Sequence, residues 1–242
     1  MKALVLCAGY GTRLGELTRD APKAMLPICG QPLLAYNLRY LSRYGFDHVA
    51  VNLHYRAQMI TDFFGDGRKF GVRVHYSCEE EPLGTAGAIR KLEAFFSDVD
   101  DFLVMYGDLL VDHDLSTMIG VHRARGASAT LLLHQRPGSN SLVQMDNDNR
   151  IVGFLERPDA EERNANPYPW VNSGVQVLSR RILGYIPSDR PADLPRDVYI
   201  PALGKELLIG VPLRGYRCAI DSAARYAEAC AAASEGRYSV AR

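Results

Sequence analysis

The sequence has no excess of charge of either sign: Lys and Arg number 28, Asp and Glu number 28, and the formal net charge is zero. Without a basic surplus, counterion-driven binding to an extended polyanion loses its driving force, and no nucleic-acid partner is expected. A locally positive phosphate site remains compatible with neutrality. No Cys-x-x-Cys pair occurs; the 5 cysteines, Cys7, Cys29, Cys78, Cys218 and Cys230, are dispersed and sit at no metal-ligand spacing. An odd, scattered set suits a reducing cytoplasm rather than a disulfide framework, and Cys7, inside an apolar run, reads as a small buried hydrophobe. No apolar run approaches the ~20 residues of a membrane span. The run from Ala3 to Ala8 is too short for a signal peptide and is broken by Gly9-Tyr10-Gly11-Thr12-Arg13. A soluble, cytoplasmic protein with no membrane partner is therefore expected. Internal repeats and low-complexity linkers are also missing, so the 242 residues read as one domain.

What is present is an alternation of strand-like and helix-like segments. Lys2 to Ala8 is short and apolar, as a buried parallel strand would be. Pro32 opens a helix carrying Leu33, Leu34, Tyr36, Leu38, Tyr40 and Leu41, with Gly45 to stop it. His48 to Leu53 reads as a strand, 56–64 as a helix, 71–77 as a strand, 84–96 as a helix and 101–106 as a strand. This rhythm implies parallel βαβ units with helices on both faces of a mainly parallel, Rossmann-like sheet. After a helix from Leu115 to Ala124, three strand-like runs follow: Ala127 to His134, Ser141 to Asp146 and Arg150 to Leu155. Asp146-Asn147-Asp148-Asn149 is the turn between the last two. Pro158 to Pro169 reads as a polar surface excursion and Trp170 to Leu178 as a strand. Segments 179–186 and 196–207 read as helices, 211–218 as a strand and 222–234 as a final Ala-rich helix. The expectation is a single domain over 1–242 with a β-rich insertion. Its nucleotide-binding part would span about 1–125 and a second, β-rich part about 126–242.

The loop Gly9-Tyr10-Gly11-Thr12-Arg13-Leu14 begins where the first strand ends, the usual ligand edge of an open α/β sheet. Glycines there let backbone amides approach phosphate oxygens, and Arg13 adds a planar fork suited to them. Lys23, in Pro22-Lys23-Ala24-Met25-Leu26-Pro27, supplies a second cation. A phosphate loop and a tight turn with surface charges are both compatible with this chemistry. The dinucleotide fingerprint fails, because it needs Gly where Leu14 stands and Gly15 comes one residue late. A Walker loop fails too, since no Gly-Lys-Ser or Gly-Lys-Thr occurs. At the end of the strand 101–106, Tyr106-Gly107-Asp108 brings an acid to the carboxyl edge, where an Asp can equally cap a helix or form a turn.

Taken together, Leu6-Cys7-Ala8-Gly9-Tyr10-Gly11-Thr12-Arg13-Leu14, then Leu17-Thr18 and Pro22-Lys23, resembles the signature of the sugar-1-phosphate nucleotidylyltransferases. The likeness is strongest to the mannose- and heptose-1-phosphate guanylyltransferases. It covers most of the chain and weakens after residue 158. It implies a glycosyltransferase-A-like nucleotidyltransferase fold. It also implies that Leu6, Ala8, Gly9, Gly11, Thr12 and Arg13 bind the nucleotide. Glu79-Glu80-Glu81-Pro82-Leu83-Gly84-Thr85-Ala86-Gly87 resembles the second family motif, beside the nucleobase. There Glu79 and Glu80 are candidate acceptors for base N–H groups, Pro82 and Gly84 line the nucleotide, and Thr85 is a candidate partner of ribose or phosphate. A carboxylate can serve guanine or a pyrimidine, so the base stays open.

The resemblance further implies that Asp108 is a Mg²⁺ ligand, one carboxylate being adequate for an ion that completes its shell with phosphates and water. Gly153-Phe154-Leu155-Glu156-Arg157-Pro158 resembles a Glu-Lys-Pro segment in which the acid binds sugar hydroxyls and the base the sugar phosphate; here Arg157 replaces Lys. Val171-Asn172-Ser173-Gly174 resembles the next sugar-contacting strand. Lys23, Gly107, Glu156, Arg157, Asn172 and Gly174 are thus the implied sugar-phosphate residues. One departure stands near the C-terminus, where Ala219-Ile220-Asp221-Ser222 replaces Asp-Ile-Gly-Thr. The family's second metal-binding Asp falls on Ala219. In a strand, positions 219 and 221 share a face, which makes Asp221 the candidate second metal ligand.

The implied reaction is attack by a sugar 1-phosphate oxygen on the α-phosphorus of an NTP, expelling pyrophosphate. That nucleophile is already ionised, so positioning and charge neutralisation are the work required, by Arg13, Lys23 and Asp108. The Glu-Pro-Leu-Gly-Thr-Ala-Gly string and the short chain, without a C-terminal β-helix, lean towards GTP and mannose or manno-heptose 1-phosphate, for polysaccharide precursors. A uridylyl- or thymidylyltransferase is the alternative, and a non-catalytic nucleotide-sugar-binding regulatory subunit a third reading. Homo-oligomers are common for such folds, so a homodimer is allowed for.

Overall fold

The computed structural model describes residues 1–136 and 139–238. From the N-terminus, β1 (Lys2–Leu6) runs into the glycine loop and a 3₁₀ stretch, Thr12–Thr18. Two short strands follow, β2 (Pro27–Ile28) and β3 (Gln31–Pro32), then α1 (Leu33–Arg43), β4 (His48–Leu53), α2 (Ala57–Phe64) and β5 (Arg73–Cys78). Next come α3 (Gly84–Lys91), β6 (Asp101–Tyr106), β7 (Leu109–Val111), α4 (Leu115–Arg125) and β8 (Ala129–Gln135). After them stand β9 (Ser141–Met145), β10 (Ile151–Glu156), α5 (Ala160–Ala165) and β11 (Trp170–Ser179). A π-helical turn, Leu194–Tyr199, leads into α6 (Ile200–Ala202), and β12 (Leu208–Pro212), β13 (Arg217–Ala219) and α7 (Ala223–Ser234) close the described chain.

Backbone contacts divide the chain into two units. The first takes residues 1–82, 104–114 and the described part of 214–242; the second takes 83–103 and the described part of 115–213. The expected parts, about 1–125 and 126–242, were contiguous. In the structure both units are assembled from separated stretches, and the C-terminal stretch belongs to the first.

In the first unit β1 pairs parallel with β4, Lys2 opposite His48 through Leu6 opposite Asn52. β4 pairs parallel with β5, His48 opposite Arg73 through Leu53 opposite Cys78. Ala3, Leu4 and Val5 have no exposed surface, as expected for a strand covered on both sides. α1 buries Leu33, Leu34, Leu38 and Leu41, a helix-period set, and Gly45 at φ 78 accommodates the left-handed residue beyond its end. β7 and β13 form a separate antiparallel ribbon, Ala219 opposite Leu109. Among the described residues the second unit pairs β11 with β8, β10 with β9 and β11 with β9 antiparallel, while β12 joins β8 in parallel.

Three expectations are corrected. The excursion 158–169 contains α5, started by a capping box in which Asp159 accepts from Glu162 N and Glu162 answers Asp159 N. The expected strand 211–218 is two strands with different partners. β12 ends as Leu213 N bonds Leu133 O, and Gly215, at φ 96, turns the chain so that Tyr216 and Asp112 pair through their backbones before β13. The expected helix 84–96 changes after α3 into a 3₁₀ turn, Glu93–Phe96, where Leu92 N is shared between Ala88 O and Ile89 O.

Candidate active site

In the first unit, the glycine loop follows β1 at the level where β6 ends. Gly107 N donates to Leu6 O at 2.9 Å, which sets the residue after β6 beside the end of β1. Gly107 O accepts from the buried Asn37 Nδ2 at 3.1 Å. A Cβ at Gly107 would collide with Cys7 Sγ and Leu6 O, so glycine is required for this close approach. Its amide and carbonyl are thereby both committed, and Gly107 acts here through packing.

Asp108 and Lys23 meet beside this junction. Lys23 Nζ stands 2.8 Å from Asp108 Oδ2, with side chains 17% and 28% exposed. That pair joins the two motifs which the sequence separates by 85 positions. Cys7 lies beneath it; burial, reinforced by the Asp108 carboxylate and opposed by Lys23, pushes its thiol up to about 12. It is therefore a neutral thiol and no nucleophile.

The loop itself is open. A Cβ at Gly9 would meet no atom within 4 Å, so packing does not require glycine there, and the space beside the backbone is available to a ligand. Gly11, at φ 70, turns the chain, and Thr18 Oγ1 donates to its carbonyl at 2.9 Å. Ala8 is buried, whereas Thr12 and Arg13 are exposed on the 3₁₀ stretch. Tyr10 is 52% exposed and meets the His54 ring edge-on, with centroids 4.8 Å apart.

The acidic triplet separates by burial. Glu79 is buried and its Oε1 accepts from Asn52 Nδ2 at 2.8 Å, while Glu80 and Glu81 are exposed. Pro82 follows at intermediate exposure. Asp221 lies just beyond β13, so the strand alternation invoked for it stops short of it. The residue before it is held to Asp108, because Ile220 N donates to Asp108 O at 2.9 Å. Among the described residues no cluster of three or more His, Cys, Asp or Glu stands ready for a metal.

In the second unit, Gly84 and Thr85 open α3 against residues 192–194. Thr85 N and Oγ1 donate to Asp193 Oδ1 at 3.2 and 3.3 Å, and its Oγ1 accepts from Leu194 N at 2.8 Å. Ala86 N and Gly87 N both donate to Ala192 O. The first-turn donors of α3 are thus used within the unit, and the Thr85 hydroxyl is held by Asp193 and Leu194. Gly84 has φ +77, and a Cβ on it would collide with the Ala192 carbonyl. Gly84→Ala should therefore cost about 2–5 kcal/mol, combining left-handed strain with overpacking. A thermal melt within a degree of the unsubstituted protein would refute this packing role.

Glu156, at the end of β10 opposite Ser141, has its carboxyl raised from its ordinary value, chiefly by burial and against the pull of the neighbouring Arg157. Arg157 has φ 54, a 71% exposed side chain, and its Nε 3.9 Å from Glu156 Oε1. Asn172 Oδ1 accepts from Gly174 N at 3.0 Å, and Gly174 takes φ 83 inside the irregular stretch of β11. These four residues therefore share one unit. Sequence reasoning missed Asn52 and His54, because their partners lie 45, 27 and 25 positions away and only strand register reveals them.

A family model described as "Nucleotidyl transferase" matches residues 2–208. The chain is 36% identical over 213 residues to UTP–glucose-1-phosphate uridylyltransferase of Synechocystis sp., covering 82% of this chain and 54% of that protein. It is also 36% identical over 203 residues to mannose-1-phosphate guanylyltransferase of Mycobacterium tuberculosis, covering 83% and 55% respectively. The chain thus spans just over half the length of these curated relatives. The crystal structure of HddC from Yersinia pseudotuberculosis superposes with a TM-score of 0.79 at 24% identity, over 95% of this chain and 98% of that one. A UDP-glucose pyrophosphorylase complexed with UDP-glucose superposes with a TM-score of 0.81 at 20% identity, over 97% and 98%. These structural likenesses carry the fold alone, a mixed, mainly parallel central sheet with helices and additional antiparallel strands, as expected from the sequence.

Proposed function

The chain belongs to the nucleotidyl transferase family, and on that premise we propose that it joins GMP, from GTP, to a mannose- or manno-heptose-type sugar 1-phosphate, releasing pyrophosphate. The observation that carries the proposal is the Lys23–Asp108 pair at 2.8 Å beside an open glycine loop. Two anionic substrates repel one another, and this chemistry needs cations and aligned amides rather than a covalent nucleophile. Arg13, exposed at the start of the 3₁₀ stretch, holds the leaving pyrophosphate. Lys23 neutralises the α-phosphate and the incoming phosphate oxygen. Glu79 accepts from the nucleobase, with Glu80 as a further acceptor. In the second unit, Glu156 and Asn172 take sugar hydroxyls and Arg157 the sugar phosphate.

The residues fit Mg²⁺: Asp108 and Asp221 offer hard oxygen donors, the backbone bond from Ile220 holds the residue before Asp221 to Asp108, and phosphates and water complete such a shell. Bound there, the ion would neutralise charge on the triphosphate. Asp108 is the principal ligand and Asp221 the second. The Glu-Pro-Leu-Gly-Thr-Ala-Gly string and the mycobacterial relative support the choice of GTP and mannose. The product would serve nucleotide-sugar supply for polysaccharide synthesis in the cytoplasm. No helix among the described residues is long and apolar enough to cross a membrane.

Four NTPs assayed against a panel of hexose and heptose 1-phosphates, with pyrophosphate release as the readout, test the proposal. GTP with mannose or manno-heptose 1-phosphate should give the highest kcat/KM. Faster turnover with UTP and glucose 1-phosphate would move the assignment to the uridylyltransferases, a reading the cyanobacterial relative favours. Nucleotide binding without pyrophosphate release would leave only a regulatory subunit.

A further inference from the structure

The end of β4 carries no residue that the family motifs assign, yet it touches both nucleotide motifs. Asn52 is 3% exposed. Its Oδ1 accepts from Cys7 N at 2.8 Å, in the strand end that feeds the glycine loop. Its Nδ2 donates to Glu79 Oε1 at 2.8 Å, in the acidic loop. One amide thus has its two ends on two different motifs. Strand register makes this possible: Leu6 lies opposite Asn52, Leu53 opposite Cys78, and Glu79 N extends the β4–β5 ladder to Leu53 O at 2.7 Å. The ends of three parallel strands are level at one edge. His54 completes the arrangement, donating from Nδ1 to the Glu79 carbonyl at 2.8 Å while its ring meets Tyr10 of the glycine loop.

We propose that Asn52 is a positioning residue that fixes the Glu79 carboxylate relative to the glycine loop and thereby sets discrimination among nucleobases. The inference rests on the reading of Glu79 as the base-facing acid.

The chemistry of the amide makes the arrangement directional. Because Cys7 N is a donor, it must face the amide oxygen, so the amide nitrogen must face Glu79 and cannot flip without losing both bonds. A glutamate has three side-chain torsions, and an acceptor that wanders among rotamers adapts to many ligands. With Oε1 bonded to Asn52, the carboxylate keeps its acceptor sites in fixed places. It then favours bases that present N–H at that edge, as guanine N1–H and uracil N3–H do. It disfavours those that present a lone pair, as adenine N1 and cytosine N3 do. Discrimination of this kind comes from leaving buried polar groups unpaired against the wrong partner, and it requires that the protein's side cannot rearrange.

Asn52→Asp isolates the link. The new side chain is nearly isosteric and still accepts from Cys7 N, but it turns an oxygen towards Glu79 and removes the donor. Asn52→Ala removes both bonds and introduces no charge, which keeps the test usable should the aspartate variant fold poorly. Calorimetric titration of each protein with GTP, UTP, ATP and CTP in the presence of Mg²⁺ is the experiment, with pyrophosphate release run alongside. We expect the ratio of Kd values between the worst and the best base to shrink about tenfold in both variants. KM for the preferred NTP should rise while kcat changes much less, since Lys23 and Asp108 are untouched. Unchanged Kd ratios in the variants, even with a lowered melting temperature, would reduce Asn52 to a structural residue and overturn the proposal. Tight, base-selective binding by the unsubstituted protein without turnover would remove the transfer reading and leave the positioning claim to be judged on the same ratios. Failure of that protein to bind any NTP would overturn both.

Discussion

Replacing Lys23 by Ala should lower turnover by about 10²–10³-fold, the usual loss when one preorganised group facing developing charge is removed. The structure sharpens what accompanies this loss. Lys23 is not a solitary surface cation but the partner of Asp108 at 2.8 Å, with side chains 17% and 28% exposed. An exposed pair contributes about 0–1 kcal/mol and breaking a fully buried one costs about 3–5, so a half-buried pair should cost about 1–2 kcal/mol. The melting temperature should therefore fall by a few degrees, far too little to explain the kinetic loss at 25 °C. Lys23→Arg is the useful companion. It keeps the charge but presents a planar fork in place of a point charge, so it should recover the stability better than the rate. Pyrophosphate release by Lys23→Ala at the unsubstituted rate would remove Lys23 from the chemistry.

Asp108→Asn should be at least as damaging, about 10³-fold in kcat, because it removes the principal carboxylate proposed to hold the cation. That is several kcal/mol of charge stabilisation, at about 1.4 kcal/mol per factor of ten. The concentration of Mg²⁺ giving half-maximal activity should rise in this variant, and rise less in Asp221→Ala. An unchanged Mg²⁺ dependence in Asp108→Asn would mean that the carboxylate acts only on Lys23. The double variant separates these roles further. Groups that act as a unit lose little more together than the worse of the two alone, whereas multiplicative losses would mean that Lys23 and Asp108 act independently.

Much of this site was legible because its chemistry is concentrated in short stretches. The strand–loop junction at Leu6–Gly11 and the acid at the end of β6 stand where apolar runs stop, so periodicity placed them at strand ends, while the roles read for them come from the family resemblance. Partners were not legible. Glu79, Glu80 and Glu81 look alike in sequence, and burial alone singles out Glu79, through an amide 27 positions earlier. Gly84 and Thr85 read as nucleotide-facing from the family resemblance, the glycine permitting a close approach. The approach is real, but in the structure what comes close is the 192–194 backbone, more than a hundred positions on. The strand expected over 211–218 failed for a related reason. Val211, Leu213, Tyr216 and Cys218 stand among Pro212, Arg214, Gly215 and Arg217, and the pairing choices of Leu133 and Asp112 show that the chain leaves one partner for another. α5 was hidden because its residues bury nothing, leaving only its capping box as a signal.

The return of residues 214–238 to the first unit has a consequence for biosynthesis. β7 follows β6 at once, but its partner β13 is made about a hundred residues later, and so is Ile220, which pairs with the Asp108 backbone. As the chain leaves the ribosome, residues 115–213 can begin pairing β8 with β11 and β12 while the 104–114 segment still waits. Contacts of such long sequence separation close late and slowly. The Asp108 turn is then ordered after those pairings, and a nascent chain stalled before residue 217 would carry the glycine loop and Lys23 without the β7–β13 ribbon or the Ile220–Asp108 bond. The backbone setting of Asp108 would thus be completed by β13 and the residue after it, long after the motifs that stand earlier in the chain.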